Sequence, residues 1–336
     1  MSLSKPKKLG IIGAGRIIED GHLPVLLNIK EIEVAWVSDS NPQRSELISK
    51  MFGVPCQPID SVMSLLKNID LCLIAIPVGA RRPYIEACAR AGIPIYAEKP
   101  FARTIEEQRY FCSLFPDFNV AVGLQRRFFH GTQVMKDIIQ EKFFGKLTKI
   151  ELNHGQYSLK AGSPGRYITD SQLSGGGVII ESSIHCLDQI LYCTQAEAVT
   201  VRSAEAVVFN NIDYETTVDS SLAINDGSNI GVHSNHTSLR NLENGFVFYF
   251  EKASVFLGIL PDSLPLIKSL ATSQSARCFS IRQSNGSWAL TSYQSFYLSW
   301  IYFLKGIEDK TIEITSAARS YLTMTWVDTI YKKIFV

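Results

Sequence analysis

Lys8-Leu-Gly10-Ile-Ile-Gly13-Ala-Gly15-Arg16-Ile17-Ile18 runs from a short apolar strand through a glycine turn into the start of a helix. Gly13 allows the tight turn and Gly15 lets backbone approach a pyrophosphate. The helix N-terminus behind them, opened by Arg16 and Ile17, presents amides and a partial positive charge. Ile18 stands where a third glycine would complete the fingerprint, which predicts looser packing of helix on strand or a slightly different loop. Asp39 lies 26 residues beyond Gly13, at the end of the next apolar run. A carboxylate there accepts hydrogen bonds from adenosine ribose hydroxyls and repels a 2′-phosphate. NAD(H) is therefore the expected cofactor, with NADP(H) left open because Arg44 is close by. The competing readings are an ordinary glycine-rich turn and an Asp39 that only caps the next helix.

Four more apolar runs follow the first strand, at Glu33 to Ser38, Leu71 to Ile76, Ile95 to Ala97 and Asn119 to Val122, separated by helix-length segments. Continuous apolar strands alternating with helices predict a parallel sheet covered on both faces. Residues 1–122 are thus expected to form a Rossmann-type, doubly wound α/β domain. From Gly123 the signal changes. A helix near Gln133 to Glu141 leads into Thr148 to Tyr157, and later strands are rich in Val, Thr, Phe and Tyr. Asp226-Gly227, Asn244-Gly245 and Asn285-Gly286 read as hairpin turns, because asparagine and glycine accept positive φ. Residues 123–336 are expected to be an α+β domain with a large, mainly antiparallel open sheet. The aromatic stretch Tyr293 to Phe303 reads as helix core, and the tail helix from Ser316 to Lys333 is free to pack back on the first domain.

A chain of 336 residues with 46% hydrophobic and 19% charged residues is long enough for two such cores. The net charge of +1 leaves no electrostatic footprint for nucleic acid or an anionic membrane. No run approaches the roughly 18 apolar residues of a membrane span. The seven cysteines contain no Cys-x-x-Cys pair and sit mostly among apolar neighbours. Buried free thiols and a cytoplasmic location are the expectation.

Two further segments carry chemistry. Ala97-Glu98-Lys99-Pro100 places a lysine at a strand end, and Gly175-Gly-Gly-Val-Ile-Ile-Glu181-Ser-Ser-Ile-His185 leads into a helix. Glu181, His185 and Asp188 share one helical face by spacing, while Ile184, Leu187 and Leu191 anchor the other. The three glycines are expected to let backbone pass close to a ligand. Lysine, imidazole and carboxylate together can manage the hydroxyl proton that a nicotinamide leaves behind. A lone core histidine beside a capping glutamate is the bland alternative. No third ligand has suitable spacing, so no metal is expected.

In their order these segments resemble the glucose-fructose oxidoreductase, inositol dehydrogenase and rhizopine catabolism (Gfo/Idh/MocA) family. The resemblance runs through Gly10 to Gly15, Ala75-Ile-Pro77, Ala97-Glu-Lys-Pro100, Val122-Gly-Leu-Gln125-Arg-Arg-Phe128, Phe144-Gly-Lys146 and Gly175 to Asp188, nearly the whole chain. It implies that Lys99 hydrogen-bonds the reacting oxygen, that His185 is the general acid/base, and that the Lys99-Pro100 bond is a candidate cis peptide. It implies Gln125, Pro77, Glu98 and Lys99 at the cofactor, and Arg166 at the substrate, with Tyr157, Lys160 and Asp188 as further candidates. Glu181 stands where the family usually has an aspartate that helps orient substrate. Val78 and Arg81 replace an asparagine and a histidine often seen there, and Arg81 is read as meeting either a phosphate or solvent.

The activity expected from the resemblance is NAD(P)-dependent hydride transfer at a secondary alcohol or ketone of a sugar, polyol or sugar nucleotide. Two alternatives are an NAD-dependent glycoside hydrolase of the same family and a non-catalytic NAD-binding regulator. A carbohydrate-type substrate, no nucleic-acid or membrane partner, and a homodimer or homotetramer complete the expectation.

Overall fold

A computed structural model describes residues 5–158, 167–270 and 288–335, the last with side chains from 292 onward. The chain divides into two compact units. The first comprises residues 1–125 and 292–320, the second 126–291 and 321–336.

The first unit is built on six parallel strands, β1 (Lys7–Ile12), β2 (Ile32–Ser38), β3 (Cys56–Gln57), β4 (Leu71–Ile74), β5 (Ile95–Ala97) and β6 (Val120–Val122), in the order β3-β2-β1-β4-β5-β6. Every residue of β4, β5 and β6 is buried, as expected for strands covered on both faces. The edge strand β3 has two residues, too few to leave a periodic signal. Strand order reverses between β1 and β4, so the crevice beyond their carboxyl ends is the place where such sheets take ligands.

The aromatic stretch is indeed a helix, within Trp288–Asp309. Its Phe296, Trp300 and Phe303 are buried with Leu9, Ile11, Leu73 and Tyr96 in the first unit's core. Tyr96 stacks on Trp300 at 4.6 Å, and the Tyr96 and Ser299 hydroxyls lie 2.7 Å apart. The segment returning to the first unit is therefore 292–320. The last helix, Tyr321–Ile334, belongs to the second unit instead, where Trp326 Nε1 donates to Ser220 Oγ at 3.0 Å. Both helices are amphipathic, and amphipathicity alone does not say which surface a helix covers.

The second unit carries seven strands, β7 (Leu147–Gly155), β8 (Ala196–Phe209), β9 (Ile212–Ile224), β10 (Asn229–Thr237), β11 (Gly245–Phe250), β12 (Ala253–Gly258) and β13 (Leu266–Leu270), in the order β13-β12-β11-β7-β10-β9-β8. Only the β7/β10 pairing is parallel among them. Gly227 turns between β9 and β10 at φ +81° as its sequence predicts. The β8/β9 turn is made by Asn210 and Asn211, both at positive φ. Asn244-Gly245 is no hairpin turn: Gly245 opens β11, and Asn244 Oδ1 accepts the Gly155 N–H at 2.6 Å, tying the loop to β7. Asn285-Gly286 lies outside the described residues.

Of the described cysteines none is in a disulfide, and all but Cys56 are buried. No helix among the described residues is long and apolar enough to cross a membrane.

Candidate functional site

In the first unit the expected cofactor residues gather at the carboxyl ends of the strands. Gly13 has φ +109°, and a Cβ there would lie 2.5 Å from the Ala75 carbonyl oxygen, so only glycine fits this approach to β4. A Cβ on Gly15 would meet nothing within 4 Å, which leaves an open cradle beside the turn. Ile18, in place of the third glycine, is fully buried, and the helix behind it starts with one wide turn, Ile18–His22, closed by Leu23 N–H on the Ile18 carbonyl. Arg16 is exposed and pairs with Asp20 at 3.4 Å, while Ile17 packs against the core.

Asp39 does two things at once. Its Oδ2 accepts the Ala14 N–H at 2.6 Å and its Oδ1 the Asn41 N–H at 2.7 Å, so the carboxylate braces the glycine turn. The helix cap itself is Asn41, which accepts from Gln43 and Arg44 N–H. Oδ1 also accepts the Ser40 hydroxyl at 3.5 Å, while Oδ2 keeps a second lone pair for a ribose hydroxyl. Arg44 is committed locally, donating to the Ala14 carbonyl at 2.9 Å and to Glu19 Oε2 at 2.8 Å.

Pro77 ends the β4 segment and caps a short turn at Val78–Ala80. Lys99 is half-buried in the turn after β5, and the Lys99-Pro100 peptide is cis. The Glu98 side chain is engaged within the protein itself. It is 4% exposed, its Oε1 meets His22 Nε2 at 2.9 Å, and its Oε2 accepts the Lys99 N–H at 3.2 Å. Trp300 Nε1 donates to His22 Nδ1 at 3.0 Å. An indole nitrogen is a donor only, so Nδ1 accepts, and the imidazole proton sits on Nε2, where it is donated to Glu98. Gly123 leaves room for the carboxylate, since a Cβ there would fall 2.6 Å from Oε1. Arg81 does not face solvent. It is buried, and its guanidinium donates to the carbonyls of Ile76, Glu98 and Pro100.

These features fit a dinucleotide. The open cradle at Gly15 and the carboxylate at the end of β2 suit the pyrophosphate and ribose. Gln125 is buried, and its side-chain Oε1 finds no partner within the described residues, an acceptor suited to a carboxamide.

In the second unit the glycine run serves the protein itself. A Cβ on Gly177 would fall 1.9 Å from the Asp213 carbonyl oxygen, and one on Gly176 2.3 Å from the Tyr331 hydroxyl. The close approach expected to a ligand is therefore to β9 and the last helix. Asp213 collects the Gly177 and Ile179 N–H groups at 2.7 and 3.0 Å, together with the hydroxyls of Tyr331 and Thr216. Burial pushes its carboxyl pKa up, against these donors. No local signal marks Asp213 in the sequence, because all its partners but Thr216 are distant along the chain.

Behind that anchor, one wide turn (Ile179–Ser183) leads into helix Ile184–Thr194. His185 is buried at the start of this helix, and Glu181, half-buried, accepts the Tyr167 hydroxyl at 3.0 Å. Asp188 is not available as the substrate ligand it was expected to be. It is 1% exposed, and Arg127 Nε and Nη2 bind its two oxygens at 2.8 and 2.6 Å while Thr323 adds a third donor. Tyr157 is exposed. Lys160 and Arg166 lie outside the described residues.

Beneath Ser183 two histidines are register partners on β7 and β10. His154 Nδ1 lies 2.8 Å from Ser183 Oγ, and His236 is fully buried. Burial, and then the neighbouring His154, push the His236 pKa down to about 3. A histidine kept neutral in the folded state stabilises the fold above its unfolded pKa of about 6.5, and that stability is lost as pH falls from there toward 3. From pH 7 to 5 the expected loss is about 2 kcal/mol from this residue. Urea unfolding at the two pH values should show it, and His236→Phe should remove most of the slope; an unchanged slope refutes the assignment.

Residues 7–124 match the family described as oxidoreductases with an NAD-binding Rossmann fold, and residues 132–256 match the Gfo/Idh/MocA C-terminal domain. D-glucoside 3-dehydrogenase of Escherichia coli K12 is 23% identical over 98% of this chain and 95% of its own length. Inositol 2-dehydrogenase of Rhizobium meliloti is 25% identical over 60% of this chain and 59% of its own. A solved levoglucosan dehydrogenase in complex with NADH and levoglucosan has the same fold, with a TM-score of 0.80 at 18% identity, covering 98% of this chain and 97% of that one. With an N-terminal and a C-terminal match in the right order, the chain belongs to the Gfo/Idh/MocA family of NAD-binding oxidoreductases.

Proposed function

We propose that this protein is an NAD-dependent dehydrogenase or reductase acting on a secondary alcohol or ketone of a sugar, polyol or sugar nucleotide. The observation that carries the reading is Lys99 at the carboxyl end of β5, in the row of strand ends that also holds the open Gly15 cradle and Asp39. Similarity to relatives named for glucoside and inositol oxidation supports the substrate class.

Gly13, Gly15, Asp39 and Gln125 would hold the dinucleotide, whose nicotinamide accepts or returns a hydride when bound. The Lys99 ammonium donates a hydrogen bond to the reacting oxygen and stabilises negative charge as it develops there. His185 takes the proton from that oxygen during oxidation and returns it during reduction. Glu181, one methylene longer than aspartate, orients the substrate with a longer reach. NADH is the preferred form because the Asp39 carboxylate repels a 2′-phosphate. The working protein is read as a cytoplasmic homodimer or homotetramer, a reading that sedimentation of the native protein tests.

The deciding experiment is NAD reduction and NADH oxidation across a panel of sugars, inositols and nucleotide-linked keto sugars. Absorbance change at 340 nm with at least one member is the expected result. Sugar release from glycosides without net NADH would point to hydrolysis, and tight NAD binding with no turnover to a regulator. For the cofactor, fluorescence titration should show tighter NADH than NADPH binding. Asp39→Asn preserves the acceptor to Ala14 and should shift the ratio toward NADPH by about tenfold, the equivalent of one charge repulsion of about 1.4 kcal/mol. Tighter NADPH binding by the parent protein overturns the preference.

A further inference from the structure

Lys99 lies in a turn whose flanking backbone carbonyls, those of Glu98 and Pro100, both accept from the same guanidinium nitrogen, Nη1 of Arg81. Arg81 Nε donates to the Ile76 carbonyl at 2.8 Å, so one side chain joins the end of the β4 segment to the turn after β5. The group is 3% exposed. Its backbone is equally tied, because its carbonyl accepts the Tyr84 and Ile85 N–H groups at the start of helix Arg82–Arg90. A charged donor shared among carbonyls makes stronger bonds than a neutral one, and the planar guanidinium presents its donors in a fixed fork.

The other flank of the turn is held separately. Glu98 Oε2 accepts the Lys99 N–H, and Glu98 Oε1 is fixed by the His22 imidazole, itself set by Trp300. The carbonyls on either side of Lys99 and its own amide are therefore each engaged.

We propose that Arg81 is a positioning residue for Lys99, acting through the backbone of the turn rather than on substrate or cofactor. The proposal rests on the functional reading of Lys99 given above. Without the guanidinium the two carbonyls lose a shared donor and the turn is free to shift. A displacement on the order of 1 Å at a catalytic group can lower turnover about 100-fold. The effect belongs in kcat, because the guanidinium acts on the carbonyls of Ile76, Glu98 and Pro100. The Gly13, Gly15 and Asp39 side of the cofactor site is braced by its own hydrogen bonds.

The test uses the full-length protein with Arg81→Met, which removes the donors at similar length, and Arg81→Lys, which keeps a charge and part of the donor set. Hydrogen exchange over residues 97–104, read by mass spectrometry, needs no substrate. Exchange at the Lys99 amide should be about tenfold faster or more in R81M and intermediate in R81K, as expected when local opening becomes easier. With a substrate the parent turns over, kcat should fall about 10- to 100-fold in R81M, NADH affinity should change less than about threefold, and R81K should recover part of the loss. Unchanged exchange in R81M overturns the proposal. So does faster exchange with kcat within twofold of the parent, and so does a kcat loss matched by an equal loss of NADH affinity. If R81M does not fold, R81K alone decides: faster Lys99 exchange with lower kcat supports the role, and parent-like kcat refutes it. A parent protein inactive on the whole panel refutes the functional reading, and the exchange measurement still decides whether Arg81 holds the turn.

Discussion

Replacing Lys99 with methionine is expected to lower turnover by about 10²- to 10⁴-fold, the range seen when a group acting on the proton or charge of the transition state is removed. NADH affinity should change less than about threefold, because the groups that hold the dinucleotide in this reading lie elsewhere on the strand ends. The melting temperature should stay near that of the parent. The turn is held by Arg81 on its carbonyls and by Glu98 on its amide, and neither contact uses the Lys99 side chain. Steady-state kinetics, fluorescence titration of NADH and thermal unfolding on the same preparation check all three. Turnover within a few-fold of the parent would remove Lys99 from the chemistry.

The largest effect on stability is expected at Arg127 and Asp188. Their side chains are 5% and 2% exposed, and two hydrogen bonds of 2.6 and 2.8 Å join them in a forked pair. Removing one partner leaves a buried charge without its counterion, which costs about 3–5 kcal/mol. Arg127→Met should therefore destabilise strongly, because the remaining Thr323 hydroxyl cannot balance the Asp188 carboxylate. Asp188→Leu should do the same through the stranded guanidinium. The double variant should recover most of the loss, since a buried pair replaced by apolar groups is often neutral. Urea unfolding of the four proteins closes the cycle. Additive losses in the double variant would show that the two residues stabilise independently.

The first unit was largely legible because its elements are local. Gly13 and Gly15 follow an apolar strand and precede a helix, and this arrangement is written in eleven consecutive residues. The buried runs of β4, β5 and β6 are apolar throughout, so no knowledge of distant partners was needed to read them. What escaped were residues whose task is set across the chain. His22 carries no sequence signal of its role, because its partners Glu98 and Trp300 lie 76 and 278 residues away along the chain. Arg81 read as facing a phosphate or solvent, yet it is buried on three carbonyls. Asp188 shares a helical face with His185 by spacing, and that spacing is equally good for an ion pair with Arg127. The wide turn at Ile179–Ser183 also had no signature in the residue pattern.

By itself the sequence determined the class of each unit, the family, and the positions of the candidate lysine, histidine and glycine turn. Strand and helix periodicity, turn residues and motif order are properties of neighbours along the chain. Only the tertiary structure decided that the helix around Phe296 and Trp300, not the last one, completes the first unit, and that Asp213 anchors the glycine run before His185. It also decided that Glu98 and Arg81 hold the Lys99 turn. Those assignments depend on which buried donors and acceptors meet once the chain is packed, since a polar group removed from water must find a partner wherever the fold brings one.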